Sequence, residues 1–101
     1  LVCLGYPLVS SGKSKALRDE VLKALRTPVM FVQGTRDRMC PLPLLAEVRA
    51  AMTASSRLHV VETGDHSLLA TKRWLKARQL SQPQLDEQTL AAVMEFVAAT
   101  T

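Results

Sequence analysis

The segment Pro28-Val-Met-Phe-Val-Gln-Gly-Thr-Arg-Asp37 joins an unbroken apolar run to a glycine and then to a carboxylate. A run such as residues 29–32, with no polar alternation, is typical of a strand that helices cover on both faces of a parallel sheet. Gly34 allows the chain to turn sharply at the carboxyl end of this strand, which is the end where open α/β sheets bind ligands. The segment therefore predicts an α/β fold in which Asp37 occupies a position suited to chemistry.

A second segment, Gly64-Asp-His-Ser67, follows another apolar run at residues 58–62. Taken alone, Asp37 is also explained as a turn aspartate that bonds its own backbone, and His66 as an ordinary exposed histidine of a loop. Neighbouring parallel strands end at the same edge of a sheet, so we expect the two side chains to meet there. An acid and an imidazole placed in this way supply the last two members of a nucleophile–acid–histidine triad.

The motifs Gly34-Thr-Arg-Asp37 and Gly64-Asp-His66, with Arg18-Asp19-Glu20 ahead of them, resemble the carboxyl-terminal half of an α/β-hydrolase. The resemblance covers nearly the whole chain. It is strongest to the branch related to dienelactone hydrolases, which includes the hydrolase-like domain of a nonspecific-lethal acetyltransferase complex subunit. Asp37 and His66 lie 66 − 37 = 29 residues apart, which leaves room for one helix and one strand. The resemblance implies that these two residues are the catalytic acid and base.

Apolar runs predict the strands of a mostly parallel sheet, and helical periodicity predicts the segments between them. The predicted strands are residues 1–6, 29–33 and 58–62. A first helix is predicted over residues 15–26, with an apolar face formed by Leu17, Val21, Ala24 and Leu25. A second helix follows the prolines of residues 41–43 and carries the apolar stripe Leu45, Val48 and Met52. The predicted fold class is α/β, a partial α/β-hydrolase fold with about three strands and three to four helices.

The end of the chain is predicted to form a last helix that covers the sheet near the strand before His66. Residues 53–57 are expected to be a polar connector, and residues 81–84 a break. The last helix is predicted over residues 86–99, with an apolar face formed by Leu90, Val93, Met94 and Val97.

The chain is long enough for one domain at most, with 101 residues. It opens without methionine, inside the apolar run Leu1-Val-Cys-Leu4. We therefore expect residues 1–101 to be the carboxyl-terminal part of a single α/β-hydrolase domain whose upstream strands and nucleophile elbow lie outside this sequence. No Gly-x-Ser-x-Gly pentapeptide occurs in it, and Ser10-Ser11-Gly12 is predicted to be a polar loop.

Composition argues against several other classes of protein. The formal charge of +4 is mild and the basic residues are scattered, which disfavours nucleic-acid binding. The segment Lys72-Arg-Trp-Leu-Lys-Ala-Arg78 interleaves cations with one aromatic ring and could bind single-stranded nucleic acid, but a solvated loop or frayed helix explains it better. No apolar run approaches the roughly 18 residues of a membrane-spanning helix.

The chain has two cysteines, Cys3 and Cys40, which form neither a disulfide framework nor a metal-ligand spacing. We expect a reducing, cytoplasmic compartment, no metal and no cofactor. Cys40 follows the Asp37 loop and is better explained as a small packed residue than as a thiol nucleophile for His66. His59 lies within a predicted strand and is expected to be structural.

These features lead to two hypotheses about function. The first is a serine-type hydrolase that acts on esters or related small acyl compounds, to which this chain contributes Asp37 and His66. On that hypothesis the chain alone is inactive, because it lacks the nucleophile. The alternative is a non-catalytic α/β-hydrolase-like scaffold for protein interaction. In either case, an unpaired sheet edge along residues 1–6 could support self-association.

Overall fold

The computed structural model describes residues 1–9 and 19–101. Strands and helices alternate along the chain up to the last two helices. The elements are β1 (Val2–Leu4), α1 (Glu20–Ala24), β2 (Val29–Gly34), α2 (Leu42–Ala51), β3 (Ser56–Val61), α3 (Lys72–Ala77) and α4 (Gln82–Thr100). Within the described part of the chain, no helix is long and apolar enough to cross a membrane. The predicted loop at residues 10–12 and the start of the predicted first helix, residues 15–18, lie outside the described residues.

The three strands form one parallel sheet in the order β1-β2-β3, which confirms the predicted fold class. β2 is the central strand, with Val2 of β1 opposite Met30 and Ser56 of β3 opposite Val29. All six residues of β2 are buried. Burial on both faces explains why this strand carries a continuous apolar run where a half-exposed strand would alternate.

Each face of β2 packs against a separate group of helices. Phe31 and Val29 share one hydrophobic cluster with Leu22 of α1 and Leu45 of α2. On the opposite face, a second cluster consists of Met30, Val32, Val61, Leu85 and Phe96, the last two of which belong to α4. The sheet therefore lies between two helical layers, and the predicted stripe of the second helix is confirmed because Leu45, Val48 and Met52 are all buried.

The outer strands differ in length from their predictions. β1 spans only Val2–Leu4, because Gly5 adopts a left-handed conformation (φ 66°) and turns the chain. β3 begins at Ser56, inside the segment predicted as a connector, and ends at Val61. Arg49 of α2 donates to the Ser56 side chain (2.9 Å) and to its carbonyl oxygen (3.2 Å). These hydrogen bonds from the preceding helix stabilise polar residues at the start of the strand, so local polarity was a poor guide to where it begins.

The predicted apolar face of the first helix is only partly right within the described residues, because Leu25 packs against the first cluster while Val21 and Ala24 are exposed. The helix spans only Glu20–Ala24, and it buries Leu22 while Val21 is 66% exposed. Such a short helix makes little more than one turn, so its packing against α2 and β2 determines which side chain points inward. The Asp19 carboxylate pairs with Lys23 (2.8 Å) on the outer side.

The last helix also differs from its prediction. Ser81 caps α4 through a capping box with Gln84, so residues 81–84 start the helix instead of breaking it. The buried residues of the helix are Leu85 and Phe96, which lie three turns apart. Of the predicted face, Val93 packs against the second cluster, whereas Leu90, Met94 and Val97 are exposed. α4 does pack against β3 and β2, as predicted.

Candidate active site

The carboxyl ends of all three strands meet at one edge of the sheet. Asp37 follows β2 and His66 follows β3, while Gly5, at the end of β1, lies beneath the histidine. A Cβ atom added to Gly5 would lie 2.5 Å from the carbonyl oxygen of His66. The missing side chain therefore lets the backbone of the histidine loop settle on the end of β1, a contact that the sequence did not reveal.

Asp37 and His66 are in direct contact. Nδ1 of His66 lies 2.9 Å from Oδ2 of Asp37, within the hydrogen-bonding distance that we predicted. A carboxylate can only accept, so Nδ1 must carry the hydrogen when Asp37 is ionised, and Nε2 is then left with a free lone pair. The Asp37 side chain is fully buried, whereas the His66 side chain is 46% exposed. The pair thus combines an enclosed acid with an accessible base.

The Asp37 carboxylate accepts two further hydrogen bonds from its own strand and loop. Nε2 of Gln33 donates to Oδ2 (2.7 Å), and the backbone N–H of Met39 donates to Oδ1 (2.8 Å). Burial by itself raises the pKa of Asp37, but the hydrogen bonds from His66, Gln33 and Met39 outweigh it, so the pKa lies below its ordinary value. Asp37 is therefore held in the ionised state that orients an imidazole.

Gln33 was not predicted as part of the site. It follows Val29 and Phe31 on the same side of β2, and it is the only residue of that strand with a polar side chain. The signal in the sequence was an amide at the end of an apolar run, four residues before the candidate acid. An amide in such a position requires a hydrogen-bond partner, because burying it without one is costly.

The loops after β2 and β3 are joined to each other by backbone contacts. Gly34 packs directly on the Gly64 peptide, so that a Cβ atom at Gly34 would overlap the Gly64 carbonyl group. The Arg36 N–H donates to the Gly64 carbonyl oxygen (2.9 Å), and the Thr63 N–H donates to the Thr35 hydroxyl (2.8 Å). The two glycines are thus needed for close approach, and this contact sets the distance between Asp37 and His66.

The loop that carries His66 is organised by Asp65. Oδ1 of Asp65 accepts from the backbone N–H groups of Ser67 (2.9 Å) and Leu69 (3.1 Å), which closes a tight turn around the histidine. Thr63 and Leu68 on either side have positive φ values of 57° and 65°. A positive φ is unfavourable for residues other than glycine, so these hydrogen bonds hold the turn in a locally strained conformation.

A cleft of about 650 Å³ lies beside the acid loop. Its walls include Arg36 and Arg38 on one side and Pro41 and Pro43, at the start of α2, on the other. Arg36 also donates through Nε to the Thr63 carbonyl oxygen (2.7 Å), so its guanidinium group is held in place. The cleft gives a small molecule room to approach the edge of the sheet where the acid–base pair lies.

Other candidate residues lie apart from this pair or are unsuited to chemistry. Cys40 is completely buried, and burial together with the charge of Asp37 raises the pKa of its thiol to about 11, which disfavours a thiolate nucleophile. His59 lies on β3, with Nε2 3.5 Å from the Thr89 hydroxyl of α4, in keeping with a structural role. Residues 1–9 and 19–101 contain no cluster of three or more side chains that could hold a metal ion.

The sequence profile of an alpha/beta hydrolase domain matches residues 1–98 of the chain. Because this match covers almost every residue, the chain belongs to that alpha/beta hydrolase family. No solved structure matches the chain. Membership of the family agrees with the parallel sheet and its flanking helices, while the catalytic roles of Asp37 and His66 stay predictions.

Proposed function

We propose that this chain supplies the acid and the base of a serine-type hydrolase that acts on esters or related small acyl compounds. The observation that supports the proposal most strongly is the hydrogen bond between His66 Nδ1 and the buried Asp37 carboxylate (2.9 Å) at the carboxyl edge of a parallel sheet. The histidine side chain is 46% exposed, which leaves its ring accessible, and the acid is shielded from water. This division of roles is the one a triad requires.

In the proposed reaction, Nε2 of His66 accepts the proton of a hydroxyl nucleophile as that oxygen attacks the acyl carbon. Asp37 holds the imidazole in the correct tautomer and stabilises the imidazolium that forms. The imidazolium then gives its proton to the leaving alkoxide, which departs as an alcohol. A water molecule, deprotonated by the same imidazole, attacks the acyl-enzyme, and the nucleophile recovers its proton as the acid product leaves.

We further propose that the nucleophile and the oxyanion hole come from residues that precede these 101 in a longer natural protein. In α/β-hydrolases the nucleophile lies on a sharp strand-to-helix turn, and the amide that follows it contributes to the oxyanion hole. On this proposal, residues 1–101 form the carboxyl-terminal part of one domain. That domain belongs to the branch related to dienelactone hydrolases, which includes the hydrolase-like domain of a nonspecific-lethal acetyltransferase complex subunit. β1 would then pair with an upstream strand, or with a second copy when that strand is removed.

The decisive experiment compares the longer protein with its Asp37→Asn and His66→Ala variants. We expect the longer protein to react with a serine-directed fluorophosphonate and to hydrolyse activated esters. Either substitution should lower kcat on the order of 10⁴-fold, with a much smaller effect on KM, because neither side chain supplies much binding to the ground state. The isolated chain should show neither labelling nor turnover.

The alternative, a non-catalytic scaffold, predicts a different result in the same experiment. A longer protein in which the nucleophile position holds neither serine nor cysteine, and which fails to label, would support the scaffold. A protein that labels and turns over esters normally with both Asp37 and His66 replaced would show that the assignment of the acid and the base is wrong. Glu87→Gln, at an exposed position of α4, serves as a control that should leave turnover unchanged.

A further inference from the structure

Gln33 has an unusual position for an amide side chain. It is fully buried, in a row with Val29 and Phe31 that packs against the hydrophobic cluster beneath α2. A methionine or leucine would fill the same space without losing hydration, so packing does not account for the amide. Its one short contact is the hydrogen bond from Nε2 to Oδ2 of Asp37 (2.7 Å).

The same carboxylate oxygen also meets the histidine. Oδ2 of Asp37 accepts from Gln33 Nε2 and lies 2.9 Å from His66 Nδ1, while Oδ1 is occupied by the Met39 N–H. An oxygen with two lone pairs has no further in-plane site once both donors are present. The Gln33 amide therefore occupies one lone pair of Oδ2 and leaves the other for the imidazole.

The orientation of the amide can be deduced from the charges around it. Oε1 of Gln33 is buried and has no hydrogen-bond partner among the described residues. Rotating the amide by half a turn would satisfy nothing better, since it would place Oε1 against the carboxylate, where two acceptors repel. Within residues 1–9 and 19–101, this orientation leaves Oε1 without a hydrogen-bond partner and keeps an N–H on Asp37.

We propose that Gln33 is a positioning residue of the hydrolase, whose amide holds Oδ2 of Asp37 in the direction that orients the Nδ1–H of His66. The inference rests on the proposed function of the Asp37–His66 pair. An amide neither gains nor loses a proton in water near neutral pH, so this donor is present throughout the working range of the imidazole. A histidine or an acid at the same position would lose the donor when it titrates.

The titratable groups around the carboxylate are few. Cys40 lies on the same loop as a buried thiol, and Arg36 and Arg38 flank Asp37 at the exposed cleft. On the facing loop, the Asp65 carboxylate is engaged by backbone N–H groups of its own turn. None of these groups donates to Oδ2, which among the described residues accepts only from the Gln33 amide and the His66 imidazole.

The first test uses Gln33→Met in the longer natural protein, because methionine keeps the length of the side chain and removes the donor. Loss of one hydrogen bond to a charged group predicts a decrease in kcat of about 10- to 100-fold, with KM changed by less than about 3-fold. Phe31→Leu is the matched control, since it disturbs the same buried row without touching Asp37. An unchanged kcat for Gln33→Met would overturn the inference.

The second test, Gln33→Glu, separates positioning from packing. At low pH the new carboxyl shares one proton with Asp37 and so restores both the donor and the single negative charge. As the pH rises this proton is lost and two carboxylates repel, so the ratio of wild-type to variant kcat should increase with pH. A ratio that stays constant across the pH range would indicate a purely structural role and contradict the proposal.

A measurement on the unaltered protein completes the design in case either variant fails to fold. The Nε2 protons of Gln33 should shift in NMR spectra together with the ring signals of His66 during a pH titration, because both groups share Oδ2. Independent behaviour of the two sets of signals would refute the inference. If Asp37→Asn and His66→Ala retain turnover, the proposed function itself fails; if they lose it while both Gln33 variants match the wild type, only the role of Gln33 fails.

Discussion

The loop after β2 and the loop after β3 each carry one member of the proposed acid–base pair, but they hold it in different ways. Asp37 is enclosed, and its carboxylate accepts from Gln33 and Met39 in addition to meeting His66. The His66 side chain is 46% exposed, and its loop is ordered through the neighbouring Asp65 and through the Gln82 side chain of α4. An acid that only orients its partner can be buried in the fold, whereas a base must remain accessible to substrate.

This difference shows that the two residues contribute unequally to stability. The contacts of Asp37 belong to the packed interior next to β2, so removing them leaves buried donors unpaired. The His66 ring makes one hydrogen bond to the buried carboxylate, and because the ring is half-exposed, water can take its place when the side chain is removed. We therefore expect substitution of the acid to lower both activity and stability, and substitution of the base to lower mainly activity. The following predictions test this contrast.

The largest effect is expected from Asp37→Ala and His66→Ala compared in the same longer protein. Both should reduce kcat on the order of 10⁴-fold. Asp37→Ala should also lower the free energy of unfolding by about 2–3 kcal/mol, because the Gln33 amide and the Met39 N–H lose their acceptor, while His66→Ala should change it by less than about 1 kcal/mol. Urea denaturation measures both values. Equal losses of stability would contradict the proposed division between the loops.

The next largest effect concerns the contact that joins the loops. Gly34→Ala would drive its Cβ into the Gly64 carbonyl group and to 2.7 Å from the Asp65 carbonyl oxygen, so we expect a loss of about 3 kcal/mol or more. A Cβ atom at Gly64 would lie 2.9 Å from the Val61 side chain, 3.0 Å from the Val61 carbonyl oxygen and 3.1 Å from Gly34 Cα, which are milder clashes on the same contact, so Gly64→Ala should cost less. Thermal unfolding of the two variants tests this order. A larger loss for Gly64→Ala would show that the loops are not held by the Gly34 contact.

A smaller effect is expected in the pH dependence of stability. The pKa of Asp37 is lower in the folded protein than its ordinary value, so the ionised carboxyl stabilises the fold above about pH 4. This stabilisation is lost as the pH falls through the folded pKa. Denaturation at several pH values should show a steeper acid-side decline for the wild type than for Asp37→Asn. Asp19→Asn is the control, since its ion pair with Lys23 lies on the surface and should contribute little.

The smallest effect is expected at the turn that presents the histidine. Asp65→Ala removes the acceptor of two exposed N–H groups, those of Ser67 and Leu69, and should cost about 1 kcal/mol. Hydrogen exchange should become faster at these two loop amides, while the amides of the sheet should exchange at unchanged rates. Glu87→Ala, an exposed position of α4, is the control and should change stability by less than about 0.5 kcal/mol. Exchange rates that are unchanged at Ser67 and Leu69 would show that Asp65 does not order the turn.

Several features of the fold follow from local patterns in the sequence. The unbroken run of β2 indicates burial on both faces, and the α/β class follows from apolar runs separated by helical periodicity. The stripe of α2 is also recovered, because its ten-residue helix is long enough for the period to be unambiguous. The predicted proximity of Asp37 and His66 required one further rule, that parallel strands end at the same edge.

Other features depended on contacts between distant residues. The inward side of α1 is Leu22 instead of Val21, because five residues cannot define a helical face without their packing partners. For α1, the local sequence permits more than one conformation and packing against other elements selects one. The start of α4 was misplaced for a different reason: Ser81 and Gln84 lie only three residues apart, so their capping box is a local signal in the sequence that the prediction of a break overlooked.

The amino-acid sequence by itself determined which residue types stand at the strand ends: a glycine and an acid after β2, a glycine and an imidazole after β3. Only the tertiary structure determined how they are held, through the Gln33 amide on Asp37 and the close approach of Gly34 to Gly64. The physical reason is the distance along the chain over which the interactions act. Strand and helix periodicity arise from neighbours along the chain, whereas the direction of a buried carboxylate depends on donors that the fold brings together.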